Sequence, residues 1–154
     1  MRIAATTLAI LLAGTTAASA DTAHTDILAG PSAVKWGPAP PVLPAGAQLA
    51  VIAGDPSKPG PFVLRLRMPA DYRIAAHHHP TIENVTVLAG SFHAGMGDRL
   101  DRDKGSALQP GGFVSLPANM NHYAWTAAET IVQVHGDGPF QLVYVDPADD
   151  PTRK

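Results

Sequence analysis

The sequence of 154 residues contains no cysteine, and aromatic residues make up only 6% of it. Without cysteine, the chain can form no disulfide and can offer no thiolate to a metal ion. Charged residues are also scarce, at 16%, and the formal net charge is −2. Because no basic stretch stands out, neither nucleic acid nor an anionic membrane surface is an expected partner. The expected partner is a small molecule.

Long hydrophobic runs are absent from the sequence as well. The run near the N-terminus covers residues 3–13, well short of the roughly 18 to 20 apolar residues that a membrane-spanning helix needs. Arg2 precedes this run, and small residues follow it up to Ala20. This order predicts a cleavable secretory signal over residues 1–20, with cleavage after Ala20. We therefore expect a periplasmic or secreted protein whose mature form is not associated with a membrane.

The rest of the composition suits one globular domain, since 45% of the residues are hydrophobic and the length is that of a single core. Residues 21–47 carry five prolines and three glycines, a composition that resists a continuous helix or a central strand. We expect an extended N-terminal arm there, a folded domain over residues 48–146 and a polar tail over residues 147–154.

Short runs with strand character fill the folded domain. Residues 62–68 alternate with a period of two, and no stretch has a convincing helical period. Gly, Pro or Asp bounds the predicted strands, which cover residues 49–52, 62–68, 84–88, 91–96, 113–116, 122–126, 130–135 and 140–145. An all-β sandwich or barrel is therefore predicted, and closure into a barrel would remove exposed strand edges.

A run of three histidines followed by a glutamate is the most informative motif. His77 and His79 are two residues apart, so on a strand both point to one face while His78 points to the other. Glu83 follows after a short connection. Imidazole and carboxylate groups together suit a divalent transition metal. A histidine pair alone is more often solvated surface, so the interpretation depends on a further ligand elsewhere in the chain.

A second motif supplies that further ligand. Asn119 can adopt the left-handed backbone conformation that glycine usually provides, which would form a turn shortly before His122. The predicted metal ligands are therefore His77, His79, Glu83 and His122.

The two motifs together resemble those of the cupins, and the resemblance extends over about residues 61–145. The first cupin pattern, Gly-x5-His-x-His-x3-4-Glu-x6-Gly, is matched at His77, His79, Glu83 and Gly90, with Asp71 in place of the leading glycine. The second pattern, Gly-x5-Pro-x-Gly-x2-His-x3-Asn, is matched at Gly111, Pro117 and His122, with Asn119 and Thr126 at the remaining two positions. None of these departures affects a ligand.

The resemblance implies a cupin jelly-roll β-barrel of antiparallel strands, one divalent transition metal ion near its open end, and a homodimer. The sequence does not select among Fe, Mn, Zn, Ni and Cu. Cupins commonly use Fe or Mn, whereas a chain exported in unfolded form meets its metal outside the cytoplasm, where tight-binding Zn and Cu have the advantage.

Three further residues are candidates for catalysis because they could orient a substrate or carry a proton beside the metal. Gln133 and His135 share one face of a predicted strand, and Tyr72 precedes the first histidine by five residues. His93 is a weaker candidate of the same kind. For Gln133 and His135 a structural role, such as satisfying a backbone carbonyl, is an equally good interpretation.

Other side chains are expected to face away from such a cavity. Arg65 and Arg67 alternate with leucines and are expected on a solvated outer face, although an arginine inside would bind a carboxylate substrate. Tyr123 and Trp125 have the opposite parity to His122, so we expect them to pack on the other side of their strand. Trp36 is expected to serve ordinary packing, and it could pack the arm on the body of the domain or on a second subunit.

The resemblance to cupins favours a secreted metal-dependent enzyme of dioxygenase type that acts on a small organic substrate. Metal-dependent lyase or isomerase chemistry stays open, because cupins include such enzymes. A non-catalytic cupin that binds or senses a metal or a small ligand is the alternative from another class. A proton-transfer group within reach of the open metal positions would distinguish an enzyme from a binding protein.

Overall fold

The structure is a computed structural model that describes residues 30–153. The predicted signal over residues 1–20 and the first part of the predicted arm lie outside the described residues. Within the described part of the chain, no helix has the length and apolar character needed to cross a membrane.

The described residues form eleven strands and three short 3-10 turns. The strands are β1 (Gly37–Pro38), β2 (Gln48–Ala53), β3 (Gly60–Met68), β4 (Arg73–His78), β5 (Glu83–Ala89), β6 (Phe92–Met96), β7 (Ser106–Leu108), β8 (Phe113–Leu116), β9 (His122–Thr126), β10 (Thr130–Gly138) and β11 (Val143–Tyr144). The 3-10 turns are Pro31–Ala33, Pro147–Asp149 and Pro151–Arg153.

The strands make two antiparallel sheets that face each other. One sheet has the order β1-β2-β3-β10-β5-β8 and the other has the order β11-β4-β9-β6-β7. This arrangement confirms the predicted all-β, antiparallel jelly-roll fold. Between residues 30 and 153, no strand pairing joins the two sheets, so the expected hydrogen-bonded closure of the barrel is not formed. The two sheets are held together by their shared apolar interior.

Strand β3 shows how the alternating sequence produces this interior. Its buried side chains are Phe62, Leu64, Leu66 and Met68. Arg65 and Arg67 lie on the opposite face and are half-buried, as expected for the outer side of the sheet. The guanidinium of Arg67 lies 4.3 Å from the ring centre of Trp36, a cation–π contact that packs the arm on this sheet.

The outer face of the second sheet carries a smaller apolar cluster. Tyr123 and Trp125 of β9 pack there with Ala76, and Leu100 and Val145 cover them. Tyr123 is fully buried and its hydroxyl donates to the carbonyl of Asp101 at 2.9 Å. The prediction that these two aromatic residues pack on the opposite side from His122 is confirmed.

Strands β1 and β7 lie outside all of the predicted strands, β4 was anticipated only at its histidines, and one predicted strand is shorter than expected. Strand β7 was not predicted, because a three-residue edge strand carries no visible alternation. The predicted strand over residues 140–145 forms only at β11, and the residues before β11 are a loop. In this loop the Phe140 amide donates to the carbonyl of Pro56 at 2.7 Å, so that amide pairs with another loop rather than with a neighbouring strand.

The described part of the arm crosses one end of the two sheets. Residues 40–44, here called the strap, follow β1 and are held by two tyrosines. The Tyr72 hydroxyl donates to the carbonyl of Pro44, and the Tyr144 hydroxyl donates to the carbonyl of Val42 at 2.8 Å. Because these two hydroxyls come from different parts of the domain, they fix the strap over the space between the sheets.

Two motif positions that depart from glycine keep the backbone conformation of glycine. Asn119 has a φ of 62° and Asp71 has a φ of 59°. Both values lie in the left-handed region, which asparagine and aspartate tolerate better than other non-glycine residues. The left-handed turn predicted at Asn119 is confirmed, and its amide donates to the carbonyl of His79 at 2.8 Å.

Candidate metal centre

The four predicted metal ligands come together where strands of the two sheets meet at one end of the interior. His77 in β4 pairs directly with His122 at the start of β9, His79 follows β4, and Glu83 opens β5. The potential ligand atoms of the three histidines all lie within 4.8 Å of one another. The Oε2 atom of Glu83 is 3.3 Å from the Nε2 atoms of both His79 and His122.

Each of the three imidazoles is oriented by a backbone carbonyl. The Nδ1 atoms of His77, His79 and His122 lie 2.7, 2.6 and 2.9 Å from the carbonyl oxygens of Ala75, Gln141 and Met120 respectively. A carbonyl only accepts, so these contacts assign the proton to Nδ1. Each Nε2 atom is then left with a lone pair, which is the form in which histidine binds a metal.

The free Nε2 atoms explain why the site suits a cation. Those of His79 and His122 are buried and have no hydrogen-bond partner within the described part of the chain, yet both face the carboxylate of Glu83. Lone pairs that face each other in a buried site are costly unless a proton or a metal ion lies between them. Two donor atoms about 2.1 Å from one ion lie roughly 3.0 to 3.4 Å apart at usual coordination angles. The 3.3 Å separations fit that geometry.

Burial and mutual contacts set the charge states of these groups. Burial, with repulsion from His122 and His79, lowers the pKa of His77 from 6.5 to about 3. Burial alone would raise the pKa of Glu83, but a proton on the Nε2 atom of His122 or His79 would donate to the carboxylate, which outweighs burial and holds that pKa below its ordinary value. A neutral imidazole and a charged carboxylate are the forms that bind a transition metal.

The site opens into a cavity of about 290 Å³ beneath the strap. His77, His79 and Glu83 lie in its wall, and Ser57 is the one other polar residue there among residues 30–153. The remaining lining residues are apolar: Pro40, Val42, Leu43, Leu49, Pro56, Leu64, Leu66, Ile74, Val134, Phe140 and Leu142. A small ligand at the metal would therefore be surrounded mostly by hydrocarbon.

The loop before β11 contributes two contacts to His79 that sequence reasoning missed. The ring of Phe140 stacks on the imidazole with a centroid distance of 4.2 Å and an interplanar angle of 13°. The next residue, Gln141, supplies the carbonyl that accepts from His79 Nδ1. A strand was predicted here, because no motif marks the loop. Pro139 was the sequence feature that indicated a break in the strand.

We expect Phe140→Ala to lower the metal affinity about 10-fold, because groups that orient a metal ligand typically contribute 10- to 100-fold. Without the stacked ring, the imidazole of His79 gains freedom and loses one wall of its packing. Phe113→Ala is the matched control, since Phe113 is 53% exposed and lies on β8. Competition with a metal chelator would measure both variants. Equal affinities for the two variants would contradict the orienting role.

Of the two interpretations left open for Gln133 and His135, the structure favours the structural role, because neither residue faces the cavity. Both are half-buried and lie on the face of β10 opposite to Val132 and Val134, which are buried in the interior. The Gln133 side chain instead accepts a hydrogen bond from Arg65 Nε at 3.2 Å. The apolar members of the strand occupy the interior, so the polar members face outward and do not reach the cavity.

Tyr72 and His93 are also placed away from the three imidazoles. The hydroxyl of Tyr72 is occupied by the strap carbonyl of Pro44, and burial raises the pKa of this phenol. Its role in the structure is to fasten the strap, which corrects the expectation of a group beside the metal. His93 stacks on Trp125 with a centroid distance of 4.8 Å, on the outer side of the second sheet.

Comparison with known proteins shows the fold of the chain and its family. The model of the family described as "Domain of unknown function (DUF4437)" matches residues 21–143. No curated protein matches the chain.

Three solved structures illustrate the similarity. The polyketide cyclase RemF from Streptomyces resistomycificus is 15% identical, with a TM-score of 0.64 over 84% of this chain and 94% of that protein. A protein from Methylibium petroleiphilum PM1, provisionally named as an acetylacetone dioxygenase, is 19% identical, with a TM-score of 0.63 over 85% and 88%. An RmlC-like cupin from Shewanella frigidimarina NCIMB 400 is 12% identical, with a TM-score of 0.56 over 73% and 91%.

At these identities the likeness shows the fold alone, and it is the fold that the two motifs predicted. A group of three histidines that could bind one metal ion lies within that fold. The chain therefore has the structure of a small cupin domain and belongs to the family described as a domain of unknown function (DUF4437).

Proposed function

We propose that the protein is an exported, metal-dependent oxygenase that acts on a small, mostly apolar compound carrying oxygen donor atoms. The observation that carries this proposal is the position of the free ligand atoms. Three imidazoles and one carboxylate converge, and the carboxylate and two of these imidazoles, His77 and His79, lie in the wall of an apolar cavity of about 290 Å³. A substrate in that cavity would lie directly against the ion.

The residues of the site determine what kind of ion fits. Three nitrogen donors and one oxygen donor accept most divalent metals of the first transition row, including Fe, Mn, Zn, Ni and Cu. Such an ion would supply Lewis acidity and, with Fe or Cu, the electrons needed for chemistry with dioxygen. The protein's contribution is to hold His77, His79, Glu83 and His122 in fixed orientations through the contacts of their other ring atoms.

The lining of the cavity limits the class of substrate. Among residues 30–153, the cavity wall includes no lysine or arginine, and Arg65 and Arg67 lie on the outer face of β3. A free carboxylate on the substrate would thus have no cationic side chain to pair with. A small neutral compound with two oxygens, such as a 1,3-diketone, fits better. The name of the Methylibium protein points to the same class, although the likeness to it supports only the fold.

The lining also bears on the type of reaction. Lyases and isomerases generally need an acid or base that is free to move a proton. In the described part of the chain, the wall of the cavity offers only Ser57 beyond the groups that would hold the metal. This favours oxygen chemistry over proton-transfer chemistry. The same lack of a free acid or base favours, as the second candidate, a cupin that binds a small ligand at its metal without converting it.

Oxygen consumption with a panel of small compounds would test the proposed function. Protein loaded with Fe, and in parallel with Zn, is offered neutral 1,3-diketones and carboxylates of equal size. We expect dioxygen uptake with a diketone and the Fe-loaded protein, and none with the carboxylates. His122→Ala should abolish the uptake. Conversion of a compound without dioxygen would contradict the proposal of an oxygenase. Tight binding of a diketone without conversion would instead support the second candidate, a cupin that only binds its ligand.

Export is part of this proposal. It is supported by the order of charged, apolar and small residues over residues 1–20, and the family model matches from the residue that follows. An exported chain would take up its metal outside the cytoplasm. The intact mass of the protein from the periplasm should correspond to a chain that begins at Asp21, and an uncleaved chain would contradict export by this signal.

A further inference from the structure

The metal site borders two cavities that share part of their walls. The larger cavity lies beneath the strap, and a second cavity of about 40 Å³ lies on the other side of the site, between the two sheets. His77, Glu83 and the apolar residues Leu66, Ile74 and Val134 line both cavities. Of the other two histidines, His79 lines only the larger cavity and His122 lines only the smaller one. A molecule in the smaller cavity, here called the inner pocket, would therefore reach the site from the opposite side to the organic ligand.

The inner pocket is almost entirely apolar. Ten of its lining residues are apolar, and each of these is no more than 7% exposed. They include the facing pair Ala94 and Ala124 on β6 and β9. The polar groups in its wall belong to His77, Glu83 and His122, and the Nδ1 atoms of these histidines already contact backbone carbonyls.

Water is a poor occupant of such a pocket. A cavity above roughly 10 to 15 Å³ has room for a water molecule, but the water needs two to four polar partners to be held there. In the inner pocket the remaining polar atoms are the Nε2 atoms and the carboxylate, which face one another at the metal site. Apolar cavities of this kind stay dry and take up apolar molecules.

The size of the inner pocket selects among apolar molecules. Engineered cavities that bind benzene have volumes near 150 Å³, and the inner pocket has only about 40 Å³. A diatomic gas fits where a ring compound does not. We propose that the inner pocket is a binding site for dioxygen, which approaches the site from the interior while the organic ligand occupies the cavity beneath the strap. The choice of dioxygen as the ligand rests on the proposed function, whereas the existence of the apolar pocket does not depend on that function.

Nuclear magnetic resonance of methyl groups under oxygen pressure would test this proposal, because dissolved dioxygen is paramagnetic and broadens the signals of nearby methyl groups. Zinc-loaded protein is used, since zinc is diamagnetic. We expect the methyl signals of Ala94 and Ala124 to broaden several-fold more than that of Ala76. The Ala76 methyl is the matched control, because it is 2% exposed but lies in the outer cluster.

A variant provides a second test. Ala94→Val fills the inner pocket and should remove the excess broadening at Ala124, whereas Ala107→Val, the same change at an exposed position on β7, should leave it. Equal broadening of Ala76, Ala94 and Ala124 in the wild-type protein would overturn the proposal, and that comparison stands even if the variant does not fold. The zinc content of the same sample is also measured. A sample without zinc would show failure of the metal site, whereas equal broadening in a zinc-loaded sample would show failure of the inner pocket.

Discussion

Replacing His122 with alanine is expected to lower the affinity for a divalent metal by at least about 100-fold, since even groups that only orient a ligand contribute 10- to 100-fold. The substitution removes one of three imidazoles whose potential ligand atoms lie within 4.8 Å of one another. It also removes a partner 3.3 Å from the carboxylate of Glu83. His79→Ala should have an effect of the same size, for the same reason. Metal affinity would be measured by competition with a chelator of known strength.

The control for these variants is the histidine between two ligands in the sequence. His78 is half-buried and is not part of the histidine group that could bind a metal. His78→Ala should therefore leave the metal content and affinity unchanged. If His78→Ala removed the metal while His79→Ala retained it, the assignment of inward-facing and outward-facing side chains at the end of β4 would be wrong.

Substituting Gly90 with alanine is expected to have the largest effect on stability among the motif glycines. Gly90 has a φ of 84°, a conformation that costs a residue with a side chain about 1 to 2 kcal/mol. A Cβ atom there would also overlap the carbonyl oxygen of Glu129 and approach Thr130. Because these are largely backbone atoms, the turn between β5 and β6 would have to move. We expect the free energy of unfolding to fall by more than about 3 kcal/mol in total.

Gly111 provides a matched comparison for that result. Its φ is 87°, nearly the same as that of Gly90, but a Cβ atom there would meet no atom of the described residues within 4 Å. Gly111→Ala should therefore cost only the conformational term of about 1 to 2 kcal/mol. Urea unfolding of both variants would measure the two losses. Equal losses would show that close packing of the β5–β6 turn contributes nothing beyond backbone conformation.

Much of the fold and the site follows from local sequence. A period of two in β3 separates the leucines from the arginines, because a strand directs alternate side chains to opposite faces. The spacing of His77 and His79 places both imidazoles on one face for the same reason. The turn before His122 was predictable because asparagine tolerates the left-handed conformation, and Asn119 has a φ of 62°.

The contacts that come from distant parts of the chain could not be predicted in this way. Phe140 and Gln141 reach His79 from a loop that is 61 and 62 residues away in sequence. The Tyr72 hydroxyl is used by the strap, which no local pattern reveals. Such contacts depend on the packing of one segment against another, and the residue type alone does not specify the partner.

The facing of Gln133 and His135 shows how a site hypothesis can mislead. The valines at positions 132 and 134 alternate with these two polar residues, and burial of apolar surface decides which set faces inward. Val132 and Val134 are 2% and 5% exposed, and the two polar residues lie outside. The predicted metal cavity could have accommodated polar side chains in the interior, but burial of the two valines there is more favourable.

The central claim is that the imidazoles of His77, His79 and His122 and the carboxylate of Glu83 hold one transition metal ion. The most direct test is elemental mass spectrometry of protein purified from the periplasm without an affinity tag, with His122→Ala purified in parallel. We expect about one Fe, Mn, Zn, Ni or Cu per wild-type chain and little in the variant, given the loss of a ligand. A metal-free wild-type protein, or equal metal content in the two proteins, would contradict the claim.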